Sequence, residues 1–480
     1  MSIEILDGDI HLIDLKTRLP FKYGIATMIE APHAFVRLRV RVGQTEATGI
    51  AADHLPPKWF TKVPEKPLEE EVAEMLATIE QAVLLAKGTK AESAFDAWQQ
   101  LDQQQEAWGR DVGFPPLLAN FGMTLVERAL IEATAKASGK TFAALLRRGG
   151  LGVRLDACDS RLAGSSVADL LPGQPLRRVI ARHTIGMADP LTDREIAAED
   201  RLADGLPQSL EACIARYGLC HFKIKVNGDL ESDVERLRRI ASILQGQAGD
   251  GYAFTLDGNE QFRELGGVRE YWQQVSSHDE LQAFFGRLMF VEQPFHRDVA
   301  LDGDVLEDLV DWQARPRLII DESDARPDSL AQALVLGYHG TSHKNCKGVF
   351  RGVVNACLLA ELNRGSPGAY IMSGEDLANI GPVALLQDLV VASTLGVESV
   401  ERNGHHYFAG LSAFPGAVQS QVLAAHDDLY DRADDGWPTL ALRNGGLDLW
   451  TVHAAPLGVG FELDVEQFTP SSTWRNQHGL

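Results

Sequence analysis

Cysteine, positive charge and long apolar runs are all scarce in this chain of 480 residues. Its five cysteines are scattered and include no C-x-x-C pair. This distribution argues against a disulfide framework or a cysteine-rich zinc site, and it favours reduced thiols in a cytoplasmic protein. Lysine and arginine total 45 against 67 acidic residues, a formal net charge of -22. A basic surface for nucleic acid or for a membrane is therefore not expected.

Apolar runs long enough to cross a bilayer are also missing. The most apolar stretch, 383–397, is too short for a span and carries Gln387 and Asp388. Residues 1–7 lack a basic region followed by an apolar core, so we expect no secretory signal. The chain does have 45% hydrophobic residues. Its length exceeds the roughly 250–300 residues that a single core supports, which predicts one large domain and one smaller domain.

The first 150 residues are predicted to form an α+β domain. Alternation of apolar and polar residues indicates antiparallel strands, and a 3.6-residue period indicates amphipathic helices. The clearest of these segments cover, in order, residues 10–15, 34–42, 69–85, 91–101 and 117–137. Two segments rich in aromatic, Pro and Gly residues, 19–24 and 49–60, are predicted to be loops and candidate lids.

Beyond a Gly-rich boundary near residue 150, eight short apolar runs each end in a polar residue, and most precede a helical pattern. The runs end near Ile185, Lys225, Asp257, Glu292, Asp321, Lys344, Ser373 and Glu401. Repeated strand–helix units of this size predict a β/α barrel over residues 151–440. Residues 187–217 are a longer insertion after the first strand. The last stretch, about 440–480, has no place in eight units, and we expect it to pack on the N-terminal domain.

The ends of barrel strands carry the active-site residues in folds of this kind, and here they carry a coherent set. Strands three, four and five end in Asp257, Glu292 and Asp321, within the motifs D-G-N, V-E-Q-P and I-D-E-S. Three converging carboxylates repel one another unless a cation lies between them, and hard oxygen ligands suit Mg²⁺. The sequence therefore predicts a magnesium site in preference to three unrelated surface acids.

Lysines lie on both sides of these acids in strand order. Lys223 and Lys225 point to the same side of strand two, and their mutual repulsion is expected to lower the pKa of at least one. Strand six supplies Lys344 or Lys347. Bases on both sides of a metal suit removal of a proton next to a carboxylate, because the metal stabilises the enediolate that forms. Two solvated lysines on a wet strand are the alternative interpretation of Lys223 and Lys225 taken alone.

The K-x-K strand, the three acidic motifs and the strand-six lysine resemble the enolase superfamily, in its mandelate racemase/muconate lactonising enzyme group. The resemblance covers nearly the whole chain. It implies an α/β fold, a modified TIM-type (β/α)7β barrel over 151–440, with an α+β capping domain made by 1–150 and completed by the tail at about 440–480. It also implies Asp257, Glu292 and Asp321 as ligands of one Mg²⁺ per subunit, with Mn²⁺ as the alternative metal.

Roles for the other candidate residues follow from the same resemblance. Lys225 and Lys344 would be the two acid/base catalysts, with Lys347 as the alternative to Lys344, and Lys223 would tune Lys225 or bind substrate. The implied substrate contacts are Tyr23, Asn259, Lys347, Ser373, Glu401 and His405. The double glycine that usually follows the strand-six lysine is missing. The paired aspartates of dipeptide epimerases are not found at strand eight.

The implied reaction is abstraction of the α-proton of a carboxylate substrate to give a metal-stabilised enediolate. Opposed lysines favour an isomerase of the racemase or epimerase type, and the same site permits a cycloisomerase or a lyase such as a sugar-acid dehydratase. Outside catalysis, the alternative is a non-catalytic carboxylate-binding protein. The expected partner is a small carboxylate, with no nucleic acid and no membrane, in a cytoplasmic protein compatible with a homo-oligomer.

Overall fold

The computed structural model describes residues 1–480, apart from the side chain of Asp250. It begins with an antiparallel meander of three strands, β1 (Ile3–Tyr23), β2 (Ala26–Val42) and β3 (Thr45–His54). The short strand β4 (Lys90–Ala91) pairs with the start of β1. Pairing of β1 with β2 breaks between Lys16 and Phe21, and this irregular stretch accommodates Pro20, which has no N–H to donate.

Three helices pack on this sheet and on one another: α1 (Leu68–Ala86), α2 (Ala94–Val112) and α3 (Pro116–Ser138). Ser93 caps the start of helix α2, where its hydroxyl accepts from the N–H of Asp96, and Gly113, with a φ of 78°, caps its end. Helix α3 lies so close to β3 that a Cβ on Gly49 would be 1.9 Å from the carbonyl oxygen of Ala129. Two short helices, α4 (Phe142–Arg147) and α5 (Val167–Leu170), lead to the barrel.

Two of the three predicted helices are confirmed to within one residue at each end, and the third runs from 94 to 112 where 91–101 was predicted. The loop predicted at 19–24 is wrong, because residues up to Tyr23 continue β1 and only the turn at Gly24 is irregular. The loop predicted at 49–60 is wrong up to His54, which ends β3. Both segments still cap the barrel mouth.

Eight parallel strands close a barrel. They are β5 (Arg178–Ile185), β6 (His221–Lys225), β7 (Ala253–Asp257), β8 (Leu288–Glu292), β9 (Leu318–Ile320), β10 (Gly340–His343), β11 (Ile371–Gly374) and β12 (Ser399–Glu401). Each strand pairs with the next, and β12 pairs with β5 to close the ring. The predicted strand ends fall within one residue of these, and the predicted fold class is confirmed.

The strands alternate with an outer layer of helices. These are α6 (Leu210–Tyr217), α7 (Leu230–Gln247), α8 (Leu265–Ser276), α9 (Gln282–Phe285), α10 (Ser329–Leu336), α11 (Val349–Gly365), α12 (Ala384–Thr394), α13 (Gly404–Tyr407) and α14 (Gly416–Ala425). The described residues 293–317, between β8 and β9, form turns in place of an α-helix. Single 3₁₀ turns lie at Ser160–Leu162, Asp193–Glu195, Ala198–Asp200, Gly249–Gly251, Asp279–Leu281, Asn345–Lys347 and Val465–Gln467.

The C-terminal stretch contacts both parts of the chain. A hairpin of β13 (Tyr430–Arg432) and β14 (Pro438–Leu440) precedes β15 (Gly446–Asp448), which pairs antiparallel with barrel strand β5. After α15 (Trp450–Ala454), strand β16 (Thr469–Pro470) pairs with β1, and α16 (Ser471–His478) follows. Throughout the described chain, every helix is too short or too polar to span a bilayer.

Candidate active site

The rim of the barrel gathers charged side chains from consecutive strands. In the parallel register, Lys225 of β6 lies opposite Asp257 of β7, which in turn lies opposite Glu292 of β8. Asp321 directly follows β9. Because parallel strands all end at the same rim, these residues lie at one level of the barrel mouth, as the strand-end motifs predict.

The ammonium of Lys223 is the centre of a buried carboxylate cluster. Its Nζ lies 2.9 Å from Glu292 Oε1, 3.0 Å from Glu401 Oε2 and 3.1 Å from Asp257 Oδ2, and it also contacts Glu375 Oε2. Burial works to lower the pKa of this lysine, but the four carboxylates outweigh burial and hold the pKa well above its usual value. The lowering expected from a neighbouring lysine therefore does not occur at Lys223.

Lys225 shares an acceptor with Lys223. Its Nζ donates to Asp257 Oδ2 at 2.6 Å and to Asn259 Oδ1 at 3.1 Å. Burial works to raise the pKa of Asp257, but the two ammonium groups outweigh burial and lower that pKa to about 2. Asn259 adopts a left-handed φ of 46°, and its N–H donates to the other oxygen of Asp257 at 2.9 Å. The K-x-K strand and the D-G-N motif thus form one hydrogen-bonded unit.

Across the barrel, Asp321 accepts from both strand-six lysines. Lys344 Nζ lies 2.6 Å from Oδ2, and Lys347 Nζ lies 3.2 Å from Oδ1. Burial opposes ionisation of Asp321, but these lysines outweigh burial and hold its pKa well below the usual range. Lys344 also lies 4.7 Å from the ring centroid of Trp59, a cation–π contact with the cap. Lys347 instead turns to Ser342, donating to its carbonyl oxygen at 2.5 Å and its Oγ at 3.0 Å.

A cavity of about 60 Å³ lies between the barrel mouth and the cap. Lys225 and Lys344 both line it, from the second and sixth of eight strands, which are opposite positions in the ring. The other predicted residues that line it are Lys223, Asp257, Asp321, Tyr23, Asn259 and Glu401. Of the two strand-six candidates, Lys344 is therefore the one that faces the cavity.

Three predicted substrate contacts lie outside the described lining of this cavity: Lys347, Ser373 and His405. Ser373 is held inside the barrel, where its Oγ accepts from Arg182 at 2.7 Å. His405 lies one residue into α13 and contacts His183 at 3.1 Å. Sequence proximity to a strand end suggested these residues, but the direction of each side chain turns it away from the cavity.

The sequence prediction missed several charged residues at the site, among them Arg182, Glu375 and Glu322. Arg182 is buried and donates to Glu375 Oε1 at 2.5 Å. The sequence did carry a signal for each of these two residues: Arg182 interrupts an otherwise apolar strand, and Glu375 follows Ser373 by two residues. Glu322, which follows Asp321 in the I-D-E-S motif, lines the cavity, and its Oε2 is buried without a hydrogen-bond partner. Burial, together with the charge of Asp321, raises the pKa of Glu322 to about 8.

The chemistry of the donors fits a hard divalent cation such as Mg²⁺. The pKa of Glu292 lies well above its usual value, because burial and then the charge of Glu375 disfavour its ionised form. A cation bound beside this carboxylate would favour the ionised form. Among the described residues, however, the oxygens of Asp257, Glu292 and Asp321 do not all lie within 4.8 Å of one another. The ammonium of Lys223 lies between the first two instead. A metal held by these three acids would replace contacts that Lys223 makes here.

The cap closes over the mouth through a few polar contacts. Tyr23, near the tip of the β1–β2 hairpin, donates to the carbonyl oxygen of Pro57 at 2.7 Å. From the barrel, Arg297 donates to the carbonyl oxygens of Trp59 and Phe60 at 3.0 and 3.1 Å. Lys62 in turn donates to the carbonyl oxygen of Asn259 at 2.8 Å. The hairpin tip and the loop after β3 therefore form a joint cover, consistent with their predicted role as lids.

No model of a protein family and no curated protein matches the chain. Solved structures do match along nearly its whole length. A muconate lactonizing enzyme from Pseudomonas fluorescens, complexed with muconolactone, superposes with a TM-score of 0.61 at 16% identity, covering 96% of this chain and 97% of that one. An enolase from Bradyrhizobium, complexed with magnesium and mandelic acid, gives 0.58 at 14% identity, covering 99% and 98%. A dipeptide epimerase from Enterococcus faecalis gives 0.57 at 16%, covering 95% and 100%.

At this level of identity the likeness establishes a shared fold. The chain shares with these solved structures a β/α barrel joined to an N-terminal capping domain. The resemblance that the strand-end motifs indicated thus extends to the architecture that carries them.

Proposed function

We propose that the protein is a Mg²⁺-dependent enzyme of the enolase superfamily that removes the α-proton of a carboxylate substrate, with Lys225 and Lys344 as acid/base catalysts on opposite faces. The observation that carries the proposal is the placement of these two lysines across one cavity, with Asp257, Glu292 and Asp321 on the strands between them. Opposed bases suit racemisation or epimerisation, because one removes a proton and the other returns one to the other face.

The structural neighbours support the same class. The Bradyrhizobium enolase is complexed with magnesium and mandelic acid, and the Pseudomonas fluorescens enzyme with muconolactone. Asp257, Glu292 and Asp321 would hold one Mg²⁺, which when bound supplies positive charge that stabilises an enediolate. Mn²⁺ accepts similar oxygen ligands and is the alternative metal.

Within the chain, each lysine has a defined task. Lys344 is protonated in the described arrangement, because the charge of Asp321 outweighs burial and holds the lysine pKa well above its usual value. It is therefore positioned as the proton donor to one face of the substrate. Lys225 faces the substrate from the other side and exchanges the proton there. Trp59, packed over Lys344, excludes water from this proton transfer.

The test is α-proton exchange into deuterated solvent, with each enantiomer of a substrate that the wild type racemises. Lys225→Ala and Lys344→Ala should each lose racemisation by about 10²-fold or more, since positioned acid/base groups contribute about 10²–10⁴-fold. Each variant should keep exchange with the enantiomer whose proton faces the remaining lysine. Lys87→Ala, an exposed lysine in the cap, is the control. If both active-site variants exchange both enantiomers at the wild-type rate, the assignment is wrong.

A lyase acting on a sugar acid is the second candidate, and Glu322 favours it. This half-buried acid, with its pKa raised to about 8 and one oxygen without a hydrogen-bond partner, would protonate a departing β-hydroxyl at neutral pH. The assay is formation of a 2-keto product from a panel of sugar acids. If Glu322→Gln abolishes that product but leaves α-proton exchange intact, elimination is the reaction.

We extend the proposal to the remaining properties expected from the sequence. The proposed domain limits are residues 1–150 with the tail at about 440–480 for the cap, and 151–440 for the barrel, with strand β15 of the tail added to the barrel sheet. The free thiols of all five cysteines and the net charge of -22 support a cytoplasmic protein without a nucleic-acid or membrane partner. A homo-oligomer is compatible with this proposal.

A further inference from the structure

A second cluster of metal-ligand side chains lies away from the barrel mouth. His183 of β5, Cys213 of α6 and His406 of α13 are all buried, and one ligand atom from each lies within 4.8 Å of the others. The three residues come from distant parts of the sequence: the first barrel strand, the insertion after it and the helix that follows the last strand.

This cluster lies on the outer side of the barrel wall. On β5, Arg182 and Thr184 reach into the barrel, where they contact Glu375 and Glu401 respectively. Side chains alternate along a strand, so His183 between them points toward the helix layer. The cluster is therefore separate from the carboxylates proposed to hold Mg²⁺, and an ion there does not depend on the proposed function.

The spacing matches ligands of a tetrahedral ion. Cys213 Sγ lies 3.6 Å from His406 Nδ1. With Zn–S of about 2.3 Å and Zn–N of about 2.0–2.1 Å, the sulfur and nitrogen atoms of two ligands on a tetrahedral zinc are separated by about 3.6 Å. His183 and His406 complete a three-sided arrangement, with ring centroids 5.1 Å apart and planes at 78°.

The surroundings suit imidazole ligands held in a fixed orientation. His183 contacts His405 at 3.1 Å, the type of partner that orients a metal-bound histidine, and His405 Nδ1 is itself buried without a partner. His183, Cys213 and His406 are all buried, so an ion bound by them would be shielded from solvent. Arg18 is the nearby cation, and Asp204 neutralises it through a bond of 2.6 Å.

We propose that His183, Cys213 and His406 bind a zinc ion that links β5, α6 and α13 beside the pairing of β5 with β12, where the barrel closes. One thiolate and two imidazoles are a borderline-soft donor set, which selects Zn²⁺ over the Mg²⁺ of an all-oxygen site. The ion would join the insertion after β5 to α13, and through the bond from Arg18 to the carbonyl oxygen of His406 it would also steady the cap hairpin.

The experiment measures zinc by mass spectrometry in the full-length protein after exposure to Zn²⁺ and dialysis against excess Mg²⁺. One zinc per chain is expected in the wild type, and none in Cys213→Ser or His406→Gln. The matched control is Cys357→Ser, which removes an equally buried thiol in α11 and should retain the ion. A double variant, Asp257→Asn with Glu292→Gln, should also retain it, which separates this site from the barrel mouth.

Cobalt substitution gives a second readout. Co²⁺ bound by the thiolate should show a sulfur-to-metal charge-transfer band that Cys213→Ser lacks, and Zn²⁺ should raise the Tm of the wild type but not of that variant. If the wild type holds no zinc after exposure, or Cys213→Ser holds as much as the wild type, the proposal is overturned. The zinc content of the wild type is measured without any variant, so the test remains decisive even if a variant misfolds.

Discussion

Replacing Lys223 by Met isolates the cluster at the centre of the barrel. The substitution keeps a long apolar side chain but removes the one ammonium that contacts four carboxylates: Asp257, Glu292, Glu375 and Glu401. Removing one partner of a buried ion pair costs about 3–5 kcal/mol of unfolding free energy. The four contacts do not multiply this cost, because a carboxyl group left without its counter-charge takes up a proton at 1.36 kcal/mol per pKa unit. We therefore expect a loss of about 3–5 kcal/mol at pH 7.

The pH dependence of that loss tests its cause. Without Lys223, the folded-state pKa values of these carboxyl groups rise above their unfolded values of about 4, so the folded protein binds more protons and its stability falls as pH rises from 4 to 7. The deficit of Lys223→Met relative to the wild type should therefore shrink at pH 5. Guanidinium unfolding followed by tryptophan fluorescence measures both values. A variant as stable as the wild type at pH 7, or one with a larger deficit at pH 5, refutes the reasoning.

Magnesium adds a further arm to the same experiment. If Asp257 and Glu292 bind Mg²⁺, the ion replaces the missing charge, and at 100 times its Kd it restores about 2.7 kcal/mol. Arg128→Met is the control, since it breaks a fully buried pair with Asp53 of the cap, at 2.7 Å. Both variants should be destabilised, but Mg²⁺ should stabilise only Lys223→Met beyond its effect on the wild type.

Two further predictions concern the cap and helix packing. Burial lowers the pKa of His54 to about 4 in the folded protein. As the pH falls below about 6.5, the imidazole therefore takes up a proton in the unfolded chain but not in the folded one. The wild type should lose about 2 kcal/mol of unfolding free energy through His54 between pH 7 and pH 5. Unfolding curves of His54→Asn should lack that part of the pH dependence, whereas the exposed His478→Gln should keep it. Gly122→Ala should cost about 1–3 kcal/mol, because its Cβ would lie 2.0 Å from the carbonyl oxygen of Thr78 in the neighbouring helix. Gly246→Ala, which has open space in α7, should instead stabilise by about 0.5–1 kcal/mol in the same denaturation assay, and equal effects of the two would contradict the packing argument.

The architecture was predictable because each barrel strand ends where an apolar run meets a charged or polar residue. Lys225, Asp257 and Glu292 mark three such ends to the residue. The cap was harder, since alternation alone does not show that β1 continues past the irregular stretch before Phe21. Helix α2 also continues beyond its predicted end. Its second half is rich in polar residues such as Gln103 and Glu106, so the apolar periodicity that indicates a helix is weak there.

At the candidate site, sequence predicted which side chains meet but not how their charges pair. The K-x-K spacing correctly placed both lysines on one side of β6. The pKa of Lys223 is raised, against the effect of burial, by Asp257 and Glu292 and then by Glu375 and Glu401, and the last two lie more than 150 residues away. Likewise, nothing in the order of Lys344 and Lys347 shows that the second turns back to Ser342. Such pairings arise from the closed ring of strands, which brings together residues that no local pattern connects.

The cover over the barrel mouth has a kinetic consequence. The hairpin tip is fastened to the loop after β3 by the bond from Tyr23 to Pro57, and that loop is fastened to the barrel by Arg297 and Lys62. Each of these hydrogen bonds ends on a backbone carbonyl, so a substitution can remove a donor such as Lys62 or Arg297 but not an acceptor. Opening the cavity means breaking these bonds together. If the proposed reaction takes place there, we expect the release of product, rather than proton transfer, to limit turnover.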